Sequence, residues 1–508
     1  MNERVRQPEK RTRRQTRRGL SLVVVMGLLA ITLAVTYSLL RTEVNSMQML
    51  GHVDRRDEAR QAAYVGLSAA LRRMHQTSWS GVTSTVTGSL STRESYSVTF
   101  STGDSRLVAG SSSDEKWPYR VTLISVGKSV DPANSSLEAT HTARAIVELV
   151  PRAVANLPSS WASRVQPFVL TQWGNRNVVV DLPTRIRGAA HLQGTLRLAE
   201  DYPNDSEARE RYLTHLNWCR ALNQPDNRPF NGPVNLTSRT SSDTEGVLNS
   251  YLSVSTIDIT TDGSAPLSHP GTVLSYRLYT GGQLYTAGTL PATLQNTTLS
   301  ADSRTNPLGI FVREGWVQVG NNVTVKGTII CSGSSGTLEI TGTNVNISPV
   351  DLPALAITSG ARQMPALIVN DDLLIQDTAQ GTITGLTFVN DYFRLAKGGN
   401  AVNMTFRGRV VTNGIELLGR TSWDSPTTDW QNARAVYDYL GYFGAGGFFT
   451  TYMQNHYGLD PTPKLLIRDD TAAAAHFWPD WSQAILLRNS SDPGLRWDVL
   501  EWGDVPGI

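Results

Sequence analysis

The sequence predicts a mainly β protein carried on one long N-terminal transmembrane α-helix. A small α+β domain follows the helix, and then a β-solenoid of the right-handed β-helix kind. Three observations predict this. An arginine cluster runs directly into 21 uncharged residues, 20–40. The helical pattern continues well past that apolar run. Most of the remaining chain is short alternating strands broken by Gly, Asn and Asp.

At 1.5 Å per residue, the apolar run reaches roughly 30 Å, enough to cross a bilayer core. Residues 1–19 hold eight Lys/Arg against Glu3 and Glu9, and the rest of the chain has 38 basic and 42 acidic residues. Basic residues before a span stay in the cytoplasm and send the downstream chain outward. A nucleic-acid binder would carry its basic excess on the folded part, so no nucleic-acid partner is expected. The run is longer than the apolar core of a secretory signal and no clean A-x-A ends it, so a cleaved signal is the weakest reading.

Beyond Arg41, Ala63, Leu67, Ala70, Leu71 and Met74 recur at spacings of three and four, leaving Arg60, Arg72 and Arg73 on other faces. Such a helix is a membrane stalk whose far half packs on a soluble domain. Two stretches in it resemble a known family. Arg18-Gly19-Leu20-Ser21-Leu22-Val23-Val24 looks like the signal read by prepilin peptidase. Ala59-Arg-Gln-Ala-Ala-Tyr-Val-Gly-Leu-Ser-Ala-Ala-Leu71 is similar to the A-x-x-A-A-x-x-G-L-x-x-A-L pattern of PilX-type minor pilins and the large K-type pseudopilin of type II secretion.

The resemblance covers roughly residues 10–76. It implies cleavage after Gly19, an N-methylated Leu20, and a retained helix that assembles through Val24, Ala63, Gly66, Leu67 and Leu71. It also implies a structural subunit of a type IV pilus or type II secretion pseudopilus, anchored by a single pass in a bacterial inner membrane. Its partners would be prepilin peptidase and other pilin or pseudopilin subunits. Major pilins carry a glutamate where this chain has Val24. The resemblance therefore implies a minor, tip or initiating subunit. An uncleaved anchor, with Gly19 a coincidence, is the plainer alternative.

The segments 95–100, 119–126 and 143–150 alternate and read as an antiparallel sheet within a domain of residues 77–155. From 156 to 420 the solenoid texture runs through 177–182, 188–198, 315–330, 336–347, 365–375, 381–389 and 404–412. The irregular repeat also fits a β-sandwich. Insertions are expected near 200–225, with a helical piece over 200–221, and near 237–300. Residues 421–508 hold six of the chain's 12 tryptophans and read as a C-terminal cap.

No cofactor or metal motif is present. Cys219 and Cys331 lack zinc-site spacing, although a disulfide between them fits an oxidising compartment. The eight histidines are scattered. A second function class, a membrane-anchored β-helix protein that binds or cleaves polysaccharide, needs clustered carboxylates. The candidates are Asp371, Asp372, Asp377 and Asp391, and separately Asp469 with Asp470. Asn and Asp are ordinary turn formers at such places. No catalytic residue is assigned, the chain is expected not to be an enzyme, and a glycan or protein ligand is left to the β-rich domain.

Overall fold

The computed structural model describes residues 16–76, 79–132, 134–151, 167–197 (apart from 175, 177, 181–183 and 195), 232–236, 259–261, 285–352 (apart from 286, 303 and 308), 362–396 (apart from 364), 402–417, 465–469 and 495–505. The fold is mostly β with one long N-terminal apolar helix, α1, Thr16–Met74. No proline interrupts α1, and Arg72 and Arg73 in its last turn face the negative end of the helix dipole. Thr32, Thr36, Thr42 and Ser46 each return a hydroxyl to the carbonyl four residues earlier, at 2.7–2.8 Å. These four hydroxyl groups are thereby satisfied inside the helix, as an apolar solvent demands.

The second half of α1 lies on a five-stranded antiparallel sheet. Its strands are β1 (Thr85–Ser89), β2 (Glu94–Thr102), β3 (Arg120–Val130), β4 (Glu138–Pro151) and, from the far end of the chain, Leu495–Asp504. The three expected strands, over 95–100, 119–126 and 143–150, fall within β2, β3 and β4. β1 is additional, since its TVTGS carries little apolar signal. The last strand, expected in a cap on the solenoid with the rest of 421–508, joins this sheet instead. Its alternation, Trp497 in and Asp498 out, suits the open edge of β4, where Val499 lies opposite Val147.

Apart from a short antiparallel pair, Asp351–Leu352 with Arg362–Gln363, the remaining described strands form three ladders of parallel pairing. The first joins Gly288–Thr289, Ile310–Glu314, Thr328–Ser332 and Leu367–Val369, crosses the middle of two long strands (Gln380–Leu395 and Asn403–Leu417), and ends on Leu170–Gln172, Ala190–Leu192, Val234–Leu236 and Ile259–Thr261. The second runs through Thr293–Leu294, Val317–Val319, Leu338–Ile340 and Leu373–Ile375 to Val178–Val180 and Leu196–Arg197. The third joins Thr297–Ser300, Val323–Lys326, Val345–Ser348, the starts of both long strands, Leu465–Arg468 and Thr184–Arg187.

Inward residues of the three ladders, such as Val319, Val325, Ile340, Ile347, Phe393 and Phe406, share one core. Residues 288–300, expected within an insertion, are an end row of all three ladders. The expected helix over 200–221 and Cys219 lie outside the described residues. Cys331 is a buried thiol whose pKa burial pushes up to about 12.

The chain enters these ladders in the middle of the stack. Thr184–Arg187 pairs with Leu465–Arg468, so the first and last strands of the third ladder in chain order lie side by side. A unit whose ends meet can sit between two neighbouring strands of another sheet without disturbing them. Here those strands are β4 and the C-terminal strand.

One turn between ladder strands is built three times. Asn296, Asn322 and Asn344 have φ of 49°, 54° and 58°, the left-handed region that Asn tolerates best among residues with a side chain. Their amides stack, Asn322 donating to Asn296 at 2.9 Å and Asn344 to Asn322 at 3.1 Å. Asn322→Ala loses both the conformation and the bonds and is expected to cost about 2 kcal/mol in denaturant unfolding, whereas Asn322→Gly keeps the conformation and should cost roughly half as much. Equal costs would show that the backbone conformation contributes nothing.

Candidate functional site

The functional surface expected from the sequence is α1 itself, and its two halves differ. From Leu22 through Leu50 every residue is exposed, including Val24, Leu28, Leu29, Ile31 and Leu33. This half is long and apolar enough to cross a membrane, and none of its apolar window is buried among the described residues. Gly19 and Leu20 lie in the first turns of the helix. Val24 is about 60 Å along the axis from Ala63, so the expected assembly residues do not form one cluster.

The other four expected residues do come together. Ala63, Gly66 and Leu67 are buried against the sheet, with Ala59, Ala62, Ala70 and Met74, and Leu71 lies half-buried beside them. The small residues let backbones approach closely. A Cβ on Gly127 of β3 would run into the Ala59 carbonyl and the Ala63 amide, and one on Gly66 would strike the Ser125 hydroxyl and the Tyr96 ring. Helix and sheet therefore meet glycine to alanine, with Leu67 and Met74 filling the space on either side.

Polar contacts fix the helix in rotation. Arg55 pairs with Asp131, and Ser129 donates its hydroxyl to Glu58 at 2.6 Å. On the opposite flank the C-terminal strand closes over the helix. Asp504 accepts from Tyr64 at 2.6 Å and Arg60 at 3.0 Å, and lies 2.9 Å from His141 Nε2. The Trp502 ring stacks on Tyr64 with centroids 5.9 Å apart, while Trp497 packs edge-on against Trp79 and donates its amide to His75 Nε2 at 3.3 Å. The hydrogen bonds from Tyr64 and His141 hold the Asp504 carboxyl below the ordinary range.

An ion network ties the same strand to the sheet. Asp104, buried at 1% exposure, accepts from Arg106 at 3.0 Å and Arg120 at 2.9 Å. Arg120 also pairs with Glu148, while Arg106 and Arg144 both hold Glu501. Burial alone would raise the Asp104 carboxyl, but the two arginines outweigh it and hold the pKa low. Sequence reasoning missed Asp104, Glu501 and Asp504 because their partners lie far away in the chain. The alternation of RWDVLEW was the available signal for the last strand.

A second cluster lies on the ladders. One oxygen each from Asp371, Asp372 and Asp391 lies within 4.8 Å of the others. Arg394 pairs with Asp372 at 3.2 Å and with Glu416 at 3.1 Å, and Arg176 pairs with Asp391 at 2.9 Å. The two guanidinium groups lie over the Tyr392 ring, at 4.5 and 4.6 Å from its centre. Asp371 accepts from the Thr337 hydroxyl at 2.8 Å and Asp372 from the Tyr392 amide at 3.0 Å. Each carboxylate is thus engaged in holding successive turns together. Asp377 and Asp469 do not join the cluster, and Asp470 lies outside the described residues.

Both Asp104 and Asp504 have depressed folded-state pKa values, so their contribution is present above the ordinary carboxylate pKa of about 4 and is lost as pH falls through the folded value. Protection of the amides of residues 495–504 against hydrogen exchange, taken relative to their intrinsic rates, should therefore fall below about pH 4. Asp104→Ala removes the buried carboxylate that joins Arg106 to Arg120, leaving Arg120 only Glu148, and is expected to cost about 2 kcal/mol. Asp504→Asn should weaken only the strand's end and flatten the pH dependence there; an unchanged profile would contradict the clamp.

No family model matches the chain, and no curated protein matches it. Among solved structures, the competence-associated pilin ComZ from Thermus thermophilus is similar at 12% identity, over 88% of this chain and 97% of that one, with a TM-score of 0.23. That score is too low for the likeness to bear on what this chain does.

Proposed function

We propose that the chain is a minor pilin-like or pseudopilin-like subunit, cut by prepilin peptidase after Gly19 and held by its retained helix in an inner membrane or filament. One observation carries the reading: α1 is a single helix, bare and apolar in its first half and tightly covered by a small antiparallel sheet in its second. An anchor that only tethers has no need of a rigid continuation into the folded body. A subunit that must pass force or position from the membrane to an outer domain does. The basic residues before Gly19 would remain cytoplasmic and the sheet and ladders would lie outside.

Val24 gives the span no buried carboxylate to pair with a neighbouring amine, which suits a tip or initiating position. The three parallel ladders around one core support a β-solenoid displayed by this body, with the domain limits 1–19, 20–76, 77–155, 156–420 and 421–508 amended so that 495–504 joins the second and third segments. Other pilin subunits would be the partners of the exposed half of α1.

A polysaccharide-cleaving role is the less favoured reading. The acidic trio with Arg176 and Arg394 beside it is the arrangement that such an enzyme would need. Those carboxylates are committed to Thr337, the Tyr392 amide and the two arginines.

Gly19→Ala is a mild change for an uncleaved helix, where alanine even improves propensity. In a chain co-expressed with prepilin peptidase, this substitution is expected to leave the full-length form uncleaved while the parent loses its first 19 residues. Normal maturation of the variant, or no maturation of the parent, would count against the proposal.

A further inference from the structure

The aromatic side chains of the ladders are nearly all covered. Phe393 and Phe406 fill the common core, Phe388 packs toward the helix-bearing sheet, and Tyr392 lies against two guanidinium groups. Trp316 is the exception. It is 41% exposed, and among the described ladder residues no other large hydrophobic side chain is exposed to that degree. It stands on the outer face of the second ladder. Val317 and Val319 turn into the core, so Trp316 and Gln318 turn outward.

The exposed indole is held in place. Its Nε1 donates to the Glu339 carboxylate on the next strand at 3.1 Å, and Gln376, at the end of the strand after that, donates to the other oxygen of the same carboxylate. The Trp316 carbonyl accepts from the Arg313 Nε at 3.0 Å, and the preceding Gly315 turns the chain at φ 91°. A side chain tied at both ends has already lost its rotamer freedom, so covering the ring with a ligand costs little further ordering.

Polar groups flank the ring in register. Gln318 lies directly opposite Glu339 on one side and Thr293 on the other. The Gln318 amide and the Thr293 hydroxyl can both donate and accept, whereas Glu339 only accepts. No Lys or Arg pairs with Glu339 among the described residues, so its charge repels an anionic ligand. A flat ring edged by amide, hydroxyl and carboxylate groups suits a molecule with an apolar C–H face and a rim of hydroxyls. A pyranose has that form.

We propose that Trp316, Gln318, Thr293 and Glu339 form a binding platform for a neutral hexopyranose within a glycan. The indole face stacks on the C–H face of one sugar ring. Gln318 and Thr293 exchange hydrogen bonds with its hydroxyls, and Glu339 accepts one through a remaining lone pair. A ring held on one face binds weakly, and a glycan that offers many such rings raises their local concentration. The platform binds without cleaving. It rests neither on processing at Gly19 nor on the role proposed for α1.

The test is calorimetric titration of the full chain, kept soluble in a detergent without a sugar headgroup, with cellohexaose, a neutral glucose oligomer. Polygalacturonate serves as the acidic comparison. Cellohexaose should bind in the millimolar range, and polygalacturonate far more weakly at equal sugar concentration. Trp316→Ala should weaken cellohexaose binding about tenfold or more. Gln318→Ala should weaken it about threefold, the size of one neutral hydrogen bond. Both are surface changes that should leave the melting temperature where it is. Absence of cellohexaose binding, equal binding of polygalacturonate, or indifference to both substitutions would overturn the proposal. Self-association that Trp316→Ala abolishes, in a chain that does not bind cellohexaose, would overturn it in favour of a protein contact.

Discussion

The closeness of the helix to the sheet is the constraint on which the rest depends. At Gly127 and Gly66 no side chain fits between α1 and the strands. Packing of this kind is all or none, because a well-filled interior cannot absorb even one added carbon without strain. It makes the second half of the helix part of the folded body. The first half becomes a rigid extension, since one unbroken helix cannot turn independently at its midpoint. Whatever the body displays is then held at a fixed bearing to the apolar span.

That body is completed last. The first four strands leave the β4 edge open, and an open edge is a hazard that proteins cover. Leu495–Asp504 covers it, bringing Trp497, Trp502 and Asp504 onto the helix and Glu501 onto Arg106 and Arg144. Everything described between β4 and this strand behaves as an insertion whose ends meet where Thr184–Arg187 pairs with Leu465–Arg468. A junction of Arg304 against Asp114 and over the Trp117 ring, 3.4 Å from its centre, fastens the insertion to the sheet. The pocket for Trp117 exists because Gly103, at φ 81°, has no side chain to fill it.

Local patterns were legible in the sequence and long-range partners were not. Spacings of three and four marked Ala63, Leu67, Ala70 and Met74 as the covered face, and period-two alternation gave β2, β3 and β4. The texture of Gly315 to Ile347 gave short strands joined by Asn and Gly turns, and the Asn stack is the physical reason for that texture. The C-terminal strand was missed because its alternation resembles any edge strand and nothing local states which sheet it joins. The same limit applied to Asp371, Asp372 and Asp391. Their turn positions suggested proximity, but the arginines that occupy them come from Arg176 and Arg394, far apart in the chain.

The closure of the sheet by the end of the chain is tested most directly by a cross-link. Cysteines at Val147 and Val499, which lie opposite each other on β4 and the last strand, should form a disulfide readily under mild oxidation of the folded protein. A pair offset by two residues, at 147 and 497, should not. Efficient cross-linking of the in-register pair alone is the expected result. Failure of that pair, or preference for the offset one, would contradict the sheet on which the helix rests.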